Sequence, residues 1–444
     1  MPSSPRFRLA SLALVVACSG GGGGETEGET GASAGFTTST GGTSAGSAAE
    51  TTGPETTSGS CPEGSEGCAC APGGLCGPGL ECEAGLCVDG GTTGSSGTTD
   101  GATTTTGDPT DPTEAEPLCG DGVVAAGEIC WKPALGLGMG GEPVAVLAVD
   151  LDDDGADDVV SANFMTNNLT TRLSLGGGEF GGLGVLVSEA GPSGLAAADA
   201  DGDGIRDLVA ANRGANTASL FVGLGGGDFA PALSLPTGAG PRALTAAPVD
   251  GDALADLLVI NQTGGTLSLL AGDGASFVGG GEFPVGAAPV DLAVGDFNGD
   301  DSLDVVAAAS GAGLAVLLGN GQGLFSAPSP IALGGAPTGV AVGDLNEDGA
   351  LDLAAVVPAS GQVLVLSGAG LGTFGAGVPF ACGAGPERVV IADLSGDGHL
   401  DLAVVNPPGD QVHVLRGNGK GGFAPAEPYA VGAGPVALAV GDFN

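Results

Sequence analysis

The sequence predicts an all-β fold, a β-propeller of four-stranded blades, and three observations predict it. From about Gly141 the chain is periodic: Pro143, Pro192, Pro241, Pro289, Pro337, Pro386 and Pro435 recur every 48 or 49 residues, and Phe180, Phe229, Phe277, Phe325, Phe374 and Phe423 keep the same step. Each period breaks into four apolar runs bounded by Gly, Pro, Asn or Asp and too short for helices, as in Val436 to Val440, Asp401 to Val405, Gln411 to Leu415 and Phe423 to Val431. Such runs read as antiparallel strands. An acidic loop separates the first two runs of every period. Six full repeats and a truncated seventh, ending at Asp442, Phe443 and Asn444, make a ring whose closure hides most sheet edges. A parallel β-helix fits less well, because its coils are usually shorter and need no acidic loop at this spacing.

Taken in order, the chain opens with Arg6 and Arg8 before the apolar run Leu9 to Ala17, which is too short to span a bilayer. Residues 1–17 therefore read as a cleaved signal peptide. The stretch Val15, Val16, Ala17, Cys18 resembles the bacterial lipobox, which implies that Cys18 is lipidated. Ser19 after it resembles the sorting pattern for the outer membrane, so the expected location is the outer membrane or cell surface. Residues 18–60 are the lipidated Cys and a Gly/Ser/Thr tether with too few large apolar side chains to offset the entropy of ordering. Gly42, Ser44 and Gly46 fit a hydrolase pattern there, but low-complexity sequence produces the match without the strand-to-helix elbow it needs.

Residues 61–88 hold Cys61, Cys68, Cys70, Cys76, Cys82 and Cys87 with almost no apolar core. In an exported chain that predicts a disulfide-rich module of unranked connectivity. Zinc is disfavoured by the lack of paired C-x-x-C arms and of a nearby His. Residues 89–117 are a second low-complexity linker. Residues 118–140 carry Cys119 to Gly122 and Gly127 to Cys130, which resemble a small cysteine-rich repeat of bacterial surface proteins, with Cys119 and Cys130 as candidate disulfide partners. Cys382, alone in the repeats, is expected to be a buried small apolar residue.

Composition sets limits. Ten basic against 52 acidic residues give a net charge of −42, which repels nucleic acid and anionic membranes. The mean hydropathy of +0.31 belongs to a chain with a real core despite 90 Gly residues.

The acidic loop carries the clearest chemistry. In Asp199 to Asp207, carboxylates at positions 1, 3 and 5 point at one centre, Gly204 at position 6 permits the bend, position 7 offers a carbonyl and Asp207 at position 9 closes the shell. Hard oxygen donors in that number suit Ca²⁺. Recurrence in register favours this over a solvated acidic turn. Copies such as Gly343 to Leu353, with Gly-Val-Ala-Val before and Phe374 after, resemble the FG-GAP, or VCBS, repeats of the integrin α-chain propeller and of many bacterial surface proteins, over roughly residues 141–444.

That resemblance implies a seven-bladed ring that binds Ca²⁺ between the first two strands of each blade. The implied ligands are Asp150, Asp152, Asp154 and Asp158; Asp199, Asp201, Asp203 and Asp207; Asp296, Asn298, Asp300 and Asp304; Asp344, Asn346, Asp348 and Asp352; Asp393, Ser395, Asp397 and Asp401. The third copy departs: Pro248 takes position 1 and Ala253 the Gly position, leaving the weaker set Asp250, Asp252 and Asp256. In the fourth, Asp301 replaces the Gly and is expected to strain the turn. The stop inside the seventh loop predicts a longer gene, and Glu142 to Val149 with Lys132 to Gly138 are candidates for an outer strand closing the seventh blade.

Catalysis is not expected. His399 falls at position 7 of its loop, where only its carbonyl is needed, and His413 falls in a strand. There is no metalloprotease or nucleotide-loop motif, and the glycines of 417–422 lack a βαβ context. The expected function is a calcium-stabilised cell-surface propeller acting as a binding or adhesion module for an unknown protein or glycan, attached to the membrane only through its lipid, with no nucleic-acid partner. An enzyme with a loop-borne active site and a passive surface lipoprotein are the alternatives. A period this constant leaves no room for the long insertions that propeller enzymes mount.

Overall fold

The second run of each repeat decides the fold. Asp158–Asn163, Asp207–Asn212, Asp256–Asn261, Asp304–Ala309, Asp352–Val357 and Asp401–Asn406 are strands buried at every residue. A strand apolar on both faces needs a sheet neighbour on each edge and another sheet on each face. A ring of stacked blades supplies both.

The computed structural model describes residues 12–18, 80–83, 86–89 and 136–443, apart from 177 and 312. Six four-stranded blades span residues 143–187, 192–236, 241–284, 289–331, 339–381 and 388–430, each an antiparallel meander in chain order. The first strands, Pro143–Val149, Pro192–Ala198, Pro241–Ala247, Pro289–Gly295, Gly339–Gly343 and Arg388–Ala392, lie side by side around the ring. The proline markers open or immediately precede these strands, where a missing N–H costs no ladder bond.

The core lies between blades. Leu257, Val259 and Leu270 of the third blade pack on Val209, Leu220 and Leu235 of the second, and the pattern repeats at each seam. The phenylalanine markers plug these seams. Phe325, Phe374 and Phe423 meet Phe283, Phe297 and Phe380 of the preceding blade edge-on, with ring centroids 5.2, 5.5 and 5.1 Å apart. A backbone bond ties four of the five seams between these blades as well: the Gly turn before the Phe donates to position 2 of the preceding acidic loop. It runs from Gly227 to Leu151, Gly323 to Val249, Gly372 to Phe297 and Gly421 to Leu345, at 2.7 to 3.2 Å.

The same contacts close the ring. Pro435–Asp442 occupies a seventh radial place, with Leu438 against Val405, Val412 and Val414 of the sixth blade. On its other side Gly178 donates to the Phe443 carbonyl at 3.2 Å, and Phe180 lies 5.6 Å from the Phe443 ring. Asp157 and Asp442 add two bonds, from the Asp157 amide to the Asp442 carbonyl at 2.6 Å and from the Asp442 amide to the Asp157 carboxylate at 2.9 Å. Leu12–Cys18 pairs antiparallel with Pro435–Asp442, in the place of a second strand. The segment read as leader and lipobox thus covers the open edge of the seventh position in the uncleaved chain.

Two expectations need correction. Pro143–Val149 is the first strand of the first blade rather than an outer strand of a seventh, and residues 136–138 form no strand; 132–135 lie outside the described residues. The repeats are also not wholly free of helix, since Pro358–Ser360 and Pro407–Gly409 form single 3-10 turns after the second strands, where a fixed proline φ starts a turn. Cys382 is fully buried, and burial pushes its thiol up to about 12.

In a separate unit, Leu80–Glu83 and Leu86–Asp89 form a hairpin with Cys82 opposite Cys87. Cys61, Cys68, Cys70, Cys76, Cys119 and Cys130, the tether and the linker lie outside the described residues. Among the described residues no helix is long and apolar enough to cross a membrane.

Candidate metal centres

All six acidic loops share one backbone. Positions 4 and 6 adopt left-handed φ whether or not they are Gly: Asp153 at 61°, Glu347 at 59°, Ala253 at 68° and Asp301 at 64°. These non-Gly residues store a small strain there. Asp301 tolerates it because its amide makes the bond that the Gly makes elsewhere, to the position 1 carboxylate at 2.9 Å.

Each loop is built in two tiers. At position 9 the aspartate is fully buried and both oxygens accept backbone amides. Asp158 takes those of Leu151 and Ser174, Asp207 those of Ala200 and Gly223, and Asp256 those of Val249 and Gly272. Asp304 takes Phe297 and Gly319, Asp352 takes Leu345 and Gly368, and Asp401 takes Leu394, Ser395 and Gly417. This carboxylate latches the loop to the end of the third strand. The outer tier is solvent-facing. Asp150 accepts the amides of Asp153 and Gly155 at positions 4 and 6, Asp199 and Asp296 do the same for their loops, and Asp344 and Asp393 accept those of positions 5 and 6. At position 5, Asp154, Asp203, Asp300, Asp348 and Asp397 each turn one oxygen to the amide of position 7.

In the first two blades, oxygens of Asp150, Asp152 and Asp158, and of Asp199, Asp201 and Asp207, come within 4.8 Å of one another. The structure therefore gathers positions 1, 3 and 9 there, with position 5 bound to the loop backbone. In the fourth to sixth loops Asn298, Asn346 and Ser395 hold position 3. The third loop, without an acid at position 1, does not gather Asp250, Asp252 and Asp256 in this way.

The first loop fits a cation best. Burial, and then the charges of Asp154, Asp150 and Asp153, push the Asp152 carboxyl upward, so the loop disfavours its own ionised form. Asp152 Oδ1 is enclosed and has no hydrogen-bond partner, a lone pair that a divalent ion would satisfy. His399 does more than lend a carbonyl: its Nδ1 meets Glu347 of the neighbouring loop, and that carboxylate raises the imidazole's proton affinity. His413 is half-buried beside Gln411, and burial lowers its proton affinity.

Ring, seams and loops together define a β-propeller whose blades carry an acidic loop between first and second strands. The chain belongs to the FG-GAP-like repeat family, which matches residues 150–210, 199–259, 249–307, 296–355, 348–404 and 393–444. The repeats point to an extracellular or surface protein. No curated protein matches the chain. Similar solved structures include a putative 6-phosphogluconolactonase from Bacteroides uniformis, with TM-score 0.53 and 16% identity over 69% of this chain and 90% of that one. A functionally unknown protein from Desulfotomaculum acetoxidans gives 0.51 and 13% over 69% and 90%. An Agrocybe aegerita lectin that recognises non-reducing terminal N-acetylglucosamine gives 0.50 and 19% over 66% and 84%. At these identities the likeness is one of fold alone.

The two tiers should separate under mutation. In chelator, Asp304→Ala leaves two buried amides without acceptors, at about 1 to 3 kcal/mol each, and should lower unfolding stability by about 2 to 6 kcal/mol. Asp300→Ala, on the exposed tier, should leave it nearly unchanged. Urea unfolding of both variants checks this; equal losses would refute the latch.

Calcium-free stability should also fall as pH rises. Burial pushes Asp158 up to about 6 and raises Asp207, Asp304, Asp352 and Asp401, against the opposing pull of their amide donors. The unfolded chain releases these protons near its ordinary range, about 3.9, so between there and about 6 the folded chain binds more protons and loses stability with rising pH. The melting temperature of metal-free protein should be higher at about pH 4.5 than at about pH 7. A melting temperature that climbs across that window would contradict the buried environment of these carboxyls.

Proposed function

We propose that the chain is a calcium-stabilised, lipid-anchored surface propeller that acts as a binding or adhesion module for a protein or glycan at the cell surface. The observation that carries the calcium reading is the first loop, where three carboxylate oxygens lie within 4.8 Å of one another and Asp152 Oδ1 has no partner. Asp150, Asp152 and Asp158, and Asp199, Asp201 and Asp207, would hold the ion in the first two blades; positions 1 and 9 with Asn298, Asn346 or Ser395 would hold it in the last three. Bound calcium supplies positive charge that offsets repulsion among these groups. The residues themselves set loop shape through their amide bonds.

The binding reading is supported by the constant repeat, which gives the ring two broad faces of short turns, and by the family's association with surface proteins. Cys18, lipidated and followed by the tether, would hold the ring clear of the membrane. Cleavage before it would remove residues 12–17 from the edge of Pro435–Asp442.

At roughly millimolar calcium, a site with Kd of about 10⁻⁴ to 10⁻³ M adds about 0.4 to 1.4 kcal/mol, so five sites add about 2 to 7 kcal/mol. Chelation should therefore lower the melting temperature steeply and abolish retention on glycan and cell-surface protein arrays. Identical melting curves with calcium and chelator would overturn the calcium reading; no retention on any array with calcium would overturn the binding reading.

The anchor is tested separately. Cys18→Ser should leave the protein exported but free of the membrane, because the tether offers no basic patch as a second attachment. Labelled fatty acid that never enters the native chain, or a Ser variant that stays with membranes, would contradict it.

A further inference from the structure

The ten basic residues are scarce, yet Arg242, Arg388 and Arg213 all stand at strand ends away from the acidic loops, near enough that Arg242 feels the charges of the other two. Arg242 and Arg388 stand near the starts of the first strands of the third and sixth blades, and Arg213 on the turn after the second strand of the second. Asp291, on the fourth blade, bonds Arg388 across the intervening first strand at 3.0 Å, while its other oxygen accepts the amide of Val340 on that strand. Arg388 also donates to the carbonyl of Thr338 at 3.3 Å. One arginine thus has a carboxylate partner, through its Nη1.

Arg242 differs. Among the described residues it forms no ion pair, and the one hydrogen bond of its guanidinium is to Gln262 Oε1 at 3.4 Å, the edge of bonding distance. Its Nε is enclosed and has no partner. Burial, and then the charges of Arg388 and Arg213, lower its proton affinity to about 10, so the free site holds a cation under strain. Asp291 and Glu387 are the acids that feel it, against three arginines. An uncompensated, half-buried guanidinium is costly unless something pairs with it. A planar fork of N–H donors matches an oxyanion.

We propose that the strand ends carrying these arginines form an oxyanion site, in which Arg242, assisted by Arg388 and Arg213, takes a carboxylate, sulfate or phosphate group of a ligand. In a chain of net charge −42, bulk electrostatics repels anions, so binding here is local and saturable rather than a general salt effect.

Calorimetry and thermal melting with acetate, sulfate and inorganic phosphate, each against chloride at matched ionic strength, test it on the full chain. At least one oxyanion should bind with a stoichiometry near one and raise the melting temperature at millimolar concentration; acetate against sulfate and phosphate separates carboxylate from tetrahedral ligands. Arg242→Gln should weaken that binding about tenfold or more, while Lys420→Gln, on the loop side of the ring, should leave it unchanged. In chloride the Arg242→Gln variant should melt no lower than the native chain, because an unpaired buried cation has been removed. No oxyanion-specific binding, equal binding by Arg242→Gln, or an Arg242→Gln variant that melts several degrees lower in chloride would each overturn the proposal.

Discussion

The buried aspartate at the start of each second strand is the interaction on which the rest depends. Its two oxygens hold two amides that no strand ladder can reach, one in the acidic loop and one at the end of the third strand. Without it, both amides would be buried and unsatisfied, and the loop would have no fixed angle to the blade. With it, each loop presents position 2 at the same height, ready for the turn of the next blade.

That regularity is what lets the ring close. The bond from the Gly turn to position 2 of the preceding loop recurs at four of the five seams between full blades, and the bond from Gly178 to Phe443 is one more copy of it. Pro435–Asp442, with Leu12–Cys18 paired to it, stands at the seventh place. Seam packing by Phe and Leu supplies the cohesion, while these backbone bonds hold neighbouring blades at a set spacing.

Much of this was legible in the sequence. The proline and phenylalanine rhythms gave the blades, and the four short runs gave the meander. The acidic loops were located residue by residue. Position 9 reads in the sequence as a shell-closing ligand, and its added role as a backbone latch is hidden there, because an aspartate fits both a calcium pattern and a latch. The third repeat held the clue: it loses its acid at position 1 to Pro248 yet keeps Asp256, which a calcium role alone does not explain. The asparagines that end several second strands were missed too. Asn212 and Asn261 are buried and donate to Ser219 and Ser268 of the third strand, a second polar clamp at the far end of the same strand. Arg242 was invisible because its significance lies in neighbours from distant repeats.

The central claim is that the latch shapes each loop without calcium, and that the outer tier waits for the ion. Amide hydrogen exchange with calcium and with chelator tests it most directly. The amides of Gly223, Gly319, Gly368 and Gly417, bonded to buried aspartates, should be strongly protected in both conditions, while those of the exposed Gly202 and Gly204, bonded to Asp199, should be protected only with calcium. Latch amides that exchange as fast as loop amides once calcium is removed would contradict the account.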